Sequence, residues 1–180
     1  MKGRIIALLG AESTGKTALA QALSQALAQR TGQPCTWVPE WLRLWCQAQG
    51  RTPLPKEQAA IAAEQSRRIE QACATHAWVV ADTTALMTAV YSQHLFHDAG
   101  LREAALAWHR QHHTLNLVTE NDLPWQADGH QRDGPQVREP VRDLLLQWLQ
   151  ADGLPWSPVR GSGAARLDSA LQPVLERLAP

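Results

Sequence analysis

Residues 10–17 read Gly-Ala-Glu-Ser-Thr-Gly-Lys-Thr, a complete G-x-x-x-x-G-K-[ST] pattern between a short apolar run at residues 5–9 and a helix-period run at residues 17–30. Gly10 and Gly15 permit backbone conformations that aim successive N–H groups inward. Those groups, from Gly10, Glu12, Ser13, Thr14 and Gly15 onward into Ala18, and the following helix N-terminus can meet phosphate oxygens. The Lys16 ammonium suits the β and γ phosphates, and the Thr17 hydroxyl suits a Mg²⁺ ion bridging them. The spacing therefore predicts a nucleoside triphosphate site that uses Mg²⁺.

Other polar residues stand where such a site needs them. Asp82 ends an apolar run, a place for a carboxylate that supports Mg²⁺ or its water shell. It could instead cap the next helix, a role Thr83 or Thr84 could take over. Glu40 ends another run directly before a helix. It could orient or deprotonate an attacking hydroxyl, pair with a cationic substrate, or be a plain helix-start acid. The polar stretch at residues 120–138 has the composition of a lid. Within it Arg132 and Arg138 could neutralise a transferring phosphoryl group. Trp125 could stack on a ligand ring with Asp122 nearby, or pack the lid on the body. His94 with His97, and His109 with His112 and His113, have helix-compatible metal spacing but no accompanying acid motif, and are expected to be exposed bystanders. No G-x-S-x-G occurs, so a serine triad has no support.

These residues need a scaffold. A chain of 180 residues suggests one domain, residues 1–180. Seventeen basic and 17 acidic residues balance, so no global field recruits nucleic acid or an anionic membrane, and small-molecule partners are expected. Three cysteines without C-x-x-C spacing fit reduced thiols. With no 18-residue apolar run and no signal-peptide pattern, a soluble cytoplasmic protein is expected. Eight tryptophans against one Phe and one Tyr suggest that some indoles serve a planar ligand.

Unalternated or β-rich runs at residues 5–9, 35–38, 78–81, 115–119 and 157–160 read as strands. Helical spacing fills the intervals, with Trp41, Leu44, Trp45 and Ala48 on one face of the second helix and Pro173 expected to bend or interrupt the last. The alternation predicts an α/β fold of three layers, about five parallel strands with helices on both faces and right-handed crossovers. Ligands bind beyond the carboxyl ends of such strands, gathering residues 10–17, Glu40, Asp82, residues 120–138 and residues 161–163 on one edge.

The phosphate loop together with Pro39-Glu40-Trp41-Leu42-Arg43, Asp82-Thr83-Thr84, Leu123-Pro124-Trp125 through Asp128-Gly129, and Gly161-Ser162 followed by Arg166 resembles the ribosylnicotinamide kinase domain of NadR-type proteins, within the P-loop NTPase superfamily. The resemblance implies ATP- and Mg²⁺-dependent phosphorylation of the 5′-hydroxyl of nicotinamide riboside to the mononucleotide. It implies adenine beside residues 161–163, with Ser162 and Arg166, and riboside contacts from Glu40, Trp41, Asp82, Asp122, Trp125 and Asp128. A flat pyridinium cation suits indole faces and carboxylates. Adenylyl transfer and repressor activity are not expected, because the chain starts at the first strand. The lid arginine stands one place later than in D-G-x-R, which keeps both Arg132 and Arg138 as candidates. The acceptor could be another nucleoside or coenzyme precursor, or the chain a nucleotide-dependent regulatory module. ATP against GTP and the oligomeric state stay open.

Overall fold

The computed structural model describes residues 3–127 and 134–177. Five strands, β1 (Arg4–Leu9), β2 (Cys35–Val38), β3 (Trp78–Asp82), β4 (Leu115–Thr119) and β5 (Trp156–Val159), form one sheet in the order β2-β3-β1-β4-β5. Every pairing is parallel; in β1, Leu8 is opposite Asp82 on one side and Leu117 on the other. Among the described residues six α-helices lie between strands, α1 (Lys16–Thr31), α2 (Trp41–Gln49), α3 (Gln58–Cys73), α4 (Ala85–Phe96), α5 (Arg102–His112) and α6 (Arg138–Ala151), and α7 (Gly163–Glu176) follows β5.

The period-2 geometry of a strand explains why β1 is apolar throughout. Ile6 and Leu8 pack with Leu19, Leu23 and Leu27 of α1 and Leu171 and Val174 of α7. Ala7 and Leu9 face the opposite way, into residues of α4, α5 and α6. Ile5 meets Ile69 and Cys73 of α3. The three-layer α/β architecture follows: α1 and α7 on one face, α3 to α6 on the other.

The α2 face that carries Trp41, Leu44, Trp45 and Ala48 adds little to the core: only Cys46 of this helix is buried, and Ala48 is exposed. The helix packs on α3, and arginines cover its rings, with Arg68 Cζ 3.8 Å from the Trp41 ring centroid and Arg51 Cζ 4.9 Å from that of Trp45. Pro173 does not stop α7, which continues to Glu176. One lost hydrogen bond near a helix end is outweighed by burial of Leu171 and Val174 on either side.

The histidines differ among themselves. His97 and His113 are exposed and His94 and His112 half-buried, but His109 is 1% exposed. Its Nδ1 lies 2.7 Å from Asn116 Oδ1 and its Nε2 2.8 Å from Thr84 Oγ1. An amide oxygen only accepts, so Nδ1 carries the proton and the Thr84 hydroxyl donates to Nε2. Sequence spacing alone could not reveal that polar interior. Among the described residues no group of three His, Cys, Asp or Glu side chains could hold a metal ion. No described helix is long and apolar enough to cross a membrane.

Candidate active site

Because β1 is the central strand, the loop that leaves it is flanked by the ends of β3 and β4. Gly10 has φ +139°, and a Cβ there would lie 2.3 Å from Thr119 Oγ1. Only glycine fits so close an approach. The Thr14 and Thr119 hydroxyls sit 2.7 Å apart and between them reach the carbonyls of Ala11 and Leu9, fixing the loop to β4. Gly15, left-handed at φ 74°, turns the chain into α1. Lys16 Nζ donates to the carbonyls of Gly10 at 3.0 Å and Ala11 at 2.6 Å, so its ammonium lies against the loop's own backbone.

On the β3 side, Thr17 Oγ1 donates to Asp82 Oδ2 at 2.6 Å. Asp82 is 2% exposed, and its Oδ1 has no hydrogen-bond partner among the described residues. Burial raises its pKa, while the Thr17 bond and the charges of Lys16 and Arg43 pull it down. Asp82 is not the cap of α4; the Thr84 side chain accepts from Leu86 N instead. Between them Thr83 holds φ +68°, a conformation that is costly for a β-branched residue. Its carbonyl accepts from Gln65 Nε2, whose Oε1 takes the Trp41 N–H at 2.6 Å.

These groups line a cavity of about 610 Å³. One wall carries the phosphate loop from Gly10 to Ala18, with Glu40, Arg43 and Asp82; the other is formed by Leu54, Met87, Tyr91, Leu95 and Phe96. Glu40 stands at the start of α2 without capping it through its side chain. Donors able to hold an anion, a hydroxyl–carboxylate pair able to hold a hard cation, and a second carboxylate near an apolar acceptor wall can support phosphoryl transfer. The uncompensated Asp82 Oδ1 beside the Thr17 hydroxyl fits Mg²⁺, a hard cation that takes oxygen ligands.

The remaining sequence candidates lie elsewhere. Trp125 Nε1 donates to Glu12 Oε1 at 2.8 Å, and the Gln126 N–H donates to Ser13 Oγ at 2.8 Å. The lid segment thus rests on the crest of the phosphate loop, and neither Trp125 nor Trp41 lines the cavity. Arg138 is buried, with Nη1 donating to the Leu123 carbonyl at 2.9 Å, and is not part of the cavity wall. Asp122 is committed to the β4–β5 side. Its Oδ1 accepts from Arg166 Nη1 and its Oδ2 from Gly161 N–H, both at 2.7 Å. Desolvation pushes the Asp122 pKa up, but those bonds outweigh it and the net shift is downward. Arg166, 4% exposed, also donates to the carbonyls of Thr14, Glu120 and Gly161. Ser162 begins α7 with no side-chain cap bond. Asp128 and Arg132 lie outside the described residues.

Among the cavity and support residues not singled out as site residues from sequence are Arg43, Tyr91, Phe96 and Gln65. Arg43 stands inside the quoted P-E-W-L-R segment, and Tyr91, whose hydroxyl accepts from the Glu12 N–H at 3.0 Å, is the chain's one tyrosine. Gln65 carried no sequence signal, because a glutamine in a helix reads as surface.

An all-parallel sheet of this order with a glycine-hinged loop leaving its central strand defines a three-layer α/β protein of P-loop NTPase architecture. The chain belongs to the AAA domain family, whose model matches residues 5–166. It is similar in fold to a NadR protein crystallised with NAD and AMP-PNP, at 19% identity and a TM-score of 0.74 over 97% of this chain and 49% of that one. It is likewise similar to a NadR protein crystallised with NR, at 19% identity and a TM-score of 0.78 over 97% of this chain and 50% of that one. A thymidylate kinase from Ehrlichia chaffeensis matches at 13% identity and a TM-score of 0.62, over 99% of this chain and all of the other. The chain thus spans about half the length of the two NadR chains. No curated protein sequence matches it.

Proposed function

We propose that this chain is an ATP-dependent small-molecule kinase, built as one domain, that phosphorylates the 5′-hydroxyl of nicotinamide riboside. The observation that carries this reading is the single cavity in which Lys16, Thr17, Asp82 and Glu40 face an apolar wall large enough for a nucleoside. The loop N–H groups and Lys16 bind the triphosphate. The acceptor lies between Met87, Tyr91 and Phe96, with its hydroxyl toward Glu40 and Asp82. Either carboxylate takes the hydroxyl proton as the acceptor oxygen bonds to the γ-phosphorus and the bond from that phosphorus to the β,γ-bridging oxygen breaks, releasing ADP. Mg²⁺, when bound, neutralises charge on the β and γ phosphates; Thr17 and Asp82 are the residues that would hold it or its water shell. Residues 161–163, with Ser162 and Arg166, take the adenine side.

A second acceptor class has its own support. Neither Trp41 nor Trp125 reaches the cavity, so the ring pocket rests on Tyr91 and Phe96 and suits an uncharged nucleoside as well as a pyridinium. ADP release measured with nicotinamide riboside, with other nucleosides and with no acceptor separates the readings. Riboside-dependent turnover supports the first, turnover of another nucleoside the second, and acceptor-independent hydrolysis a regulatory ATPase. Lys16→Ala is expected to abolish the activity, and retained activity would assign turnover to something else.

A further inference from the structure

Phosphoryl transfer concentrates negative charge on the equatorial and bridging oxygens, and a phosphate-loop lysine seldom meets that demand alone. The sequence pointed to the lid for a second cation, but the lid arginine that the structure describes, Arg138, turns Nη1 to the Leu123 carbonyl and does not line the cavity. Arg166 is held by carbonyls and Asp122 on the opposite flank. Among the described residues, the cations that line the cavity are Lys16 and Arg43.

Arg43 sits in the first turn of α2, three residues after Glu40, and shares the cavity wall with both carboxylates and with Lys16. Its helix buries little, with Cys46 as its one buried residue, but its start is anchored by polar contacts. Gln65, 2% exposed, accepts the N–H of Trp41 and donates to the carbonyl of Thr83, tying the start of α2 to the residue after Asp82. The Trp41 ring is pinned beneath Arg68. A guanidinium mounted two residues from such an anchor has less freedom than one on a loop, and its planar fork matches phosphoryl oxygens.

We propose that Arg43 is a catalytic residue of this site, contacting the transferring γ-phosphoryl group from the acceptor side. In the step it serves, the acceptor oxygen forms its bond to the γ-phosphorus as the bond to the β,γ-bridging oxygen breaks. The electron pair leaves with ADP, and the hydroxyl proton passes to Glu40 or Asp82. Arg43 neutralises the equatorial oxygens opposite Lys16. The inference rests on the kinase reading of the cavity, not on the identity of the acceptor.

The test compares wild type, Arg43→Gln and Arg43→Lys for affinity toward MgADP with and without fluoroaluminate, which mimics the transferring group. Wild type is expected to bind MgADP at least about tenfold more tightly with fluoroaluminate, as transition-state analogues do. Arg43→Gln should lose that gain while its affinity for MgADP stays within about threefold, and kcat with any active acceptor should fall at least about 100-fold with little change in the KM for ATP. Arg43→Lys, which keeps the charge, should recover only a minor part. If Arg43→Gln melts well below wild type, Arg43→Lys decides the matter through the same comparison. The proposal is overturned if the variants keep the fluoroaluminate gain, if MgADP affinity falls as much as the gain, or if wild type shows no gain. Should the gain depend on Arg43 while riboside gives no turnover, the riboside reading fails and this one stands.

Discussion

Thr17 Oγ1 and Asp82 Oδ2 share a hydrogen bond of 2.6 Å that joins the first turn of α1 to the carboxyl end of β3. It leaves the other oxygen of a buried carboxylate without a partner among the described residues. A group held this way costs stability in the absence of what it is built to bind.

Asp82→Asn is therefore expected to trade function for stability. The folded-state pKa of Asp82 is raised, so above its unfolded value the unfolded chain gains more from ionising than the folded one does. Stability falls as pH rises through the interval between the two values and stays lower beyond it. The amide removes that loss, and thermal melting at neutral pH should rise by a few degrees, on the order of 1 kcal/mol. Mg²⁺-dependent turnover should drop at least about 100-fold. A lower melting temperature would show that the carboxylate stabilises the fold.

His109 supplies the opposite pH dependence. Burial holds its pKa down at about 4, with the Asn116 bond opposing. The unfolded imidazole titrates near 6.5, so stability is complete above that value and is lost as pH falls toward about 4. The loss reaches roughly 3 kcal/mol, an upper figure for a wholly buried ring. In His109→Gln the acid limb of a melting-temperature profile between pH 7 and 4 should flatten, and an unchanged slope would place the titration in another group.

The lid contact makes a third prediction. Trp125→Phe deletes the bond to Glu12 Oε1 but keeps an aromatic ring, so the Gln126 amide, now bonded to Ser13, should exchange with solvent several-fold faster, as expected for about 1 kcal/mol. Trp125 rests on the phosphate loop and is absent from the cavity wall. Trp125→Ala is thus expected to weaken ATP at least as much as riboside in calorimetry. A larger loss for the riboside would mean that the ring moves into the cavity when the acceptor binds.

Arg166→Lys tests the nucleotide side. One ammonium cannot replace a fork that reaches Asp122 and the carbonyls of Thr14, Glu120 and Gly161 at once. With two or more buried partners released, melting should fall by about 2–4 kcal/mol of stability, and ATP affinity should fall with it. Wild-type melting would mean that the hub is redundant.

Much of the scaffold was legible because its signals are local. Short apolar runs marked β1 and β3, β-rich runs marked β2, β4 and, one residue late, β5, and the glycine spacing at Gly10 and Gly15 marked the loop between β1 and α1. The lining of the candidate site was legible where chemistry and chain order coincide, as at Lys16, Thr17, Asp82 and Glu40. Arg138 and Asp122 look like free loop charges in one dimension. Their partners, Leu123 O for one and Arg166 with Gly161 for the other, come from tertiary closure. His109 hides for the same reason, since its acceptor lies on β4 and its donor caps α4. Arg43 stands in a quoted motif that gave it no role, and Tyr91 in none; both enter the cavity through the pitch of α2 and α4.

The strand order carries a further consequence. On the proposed reading, acceptor-side groups come from the chain between β2 and the end of α4, while the base-side groups come from the segments after β4, with β1 standing between them as a shared spine. Substitutions that reshape Met87, Leu95 or Phe96 leave the Arg166 hub untouched. Such a layout lets acceptor preference drift, or be redesigned, without rebuilding the engine that handles the triphosphate.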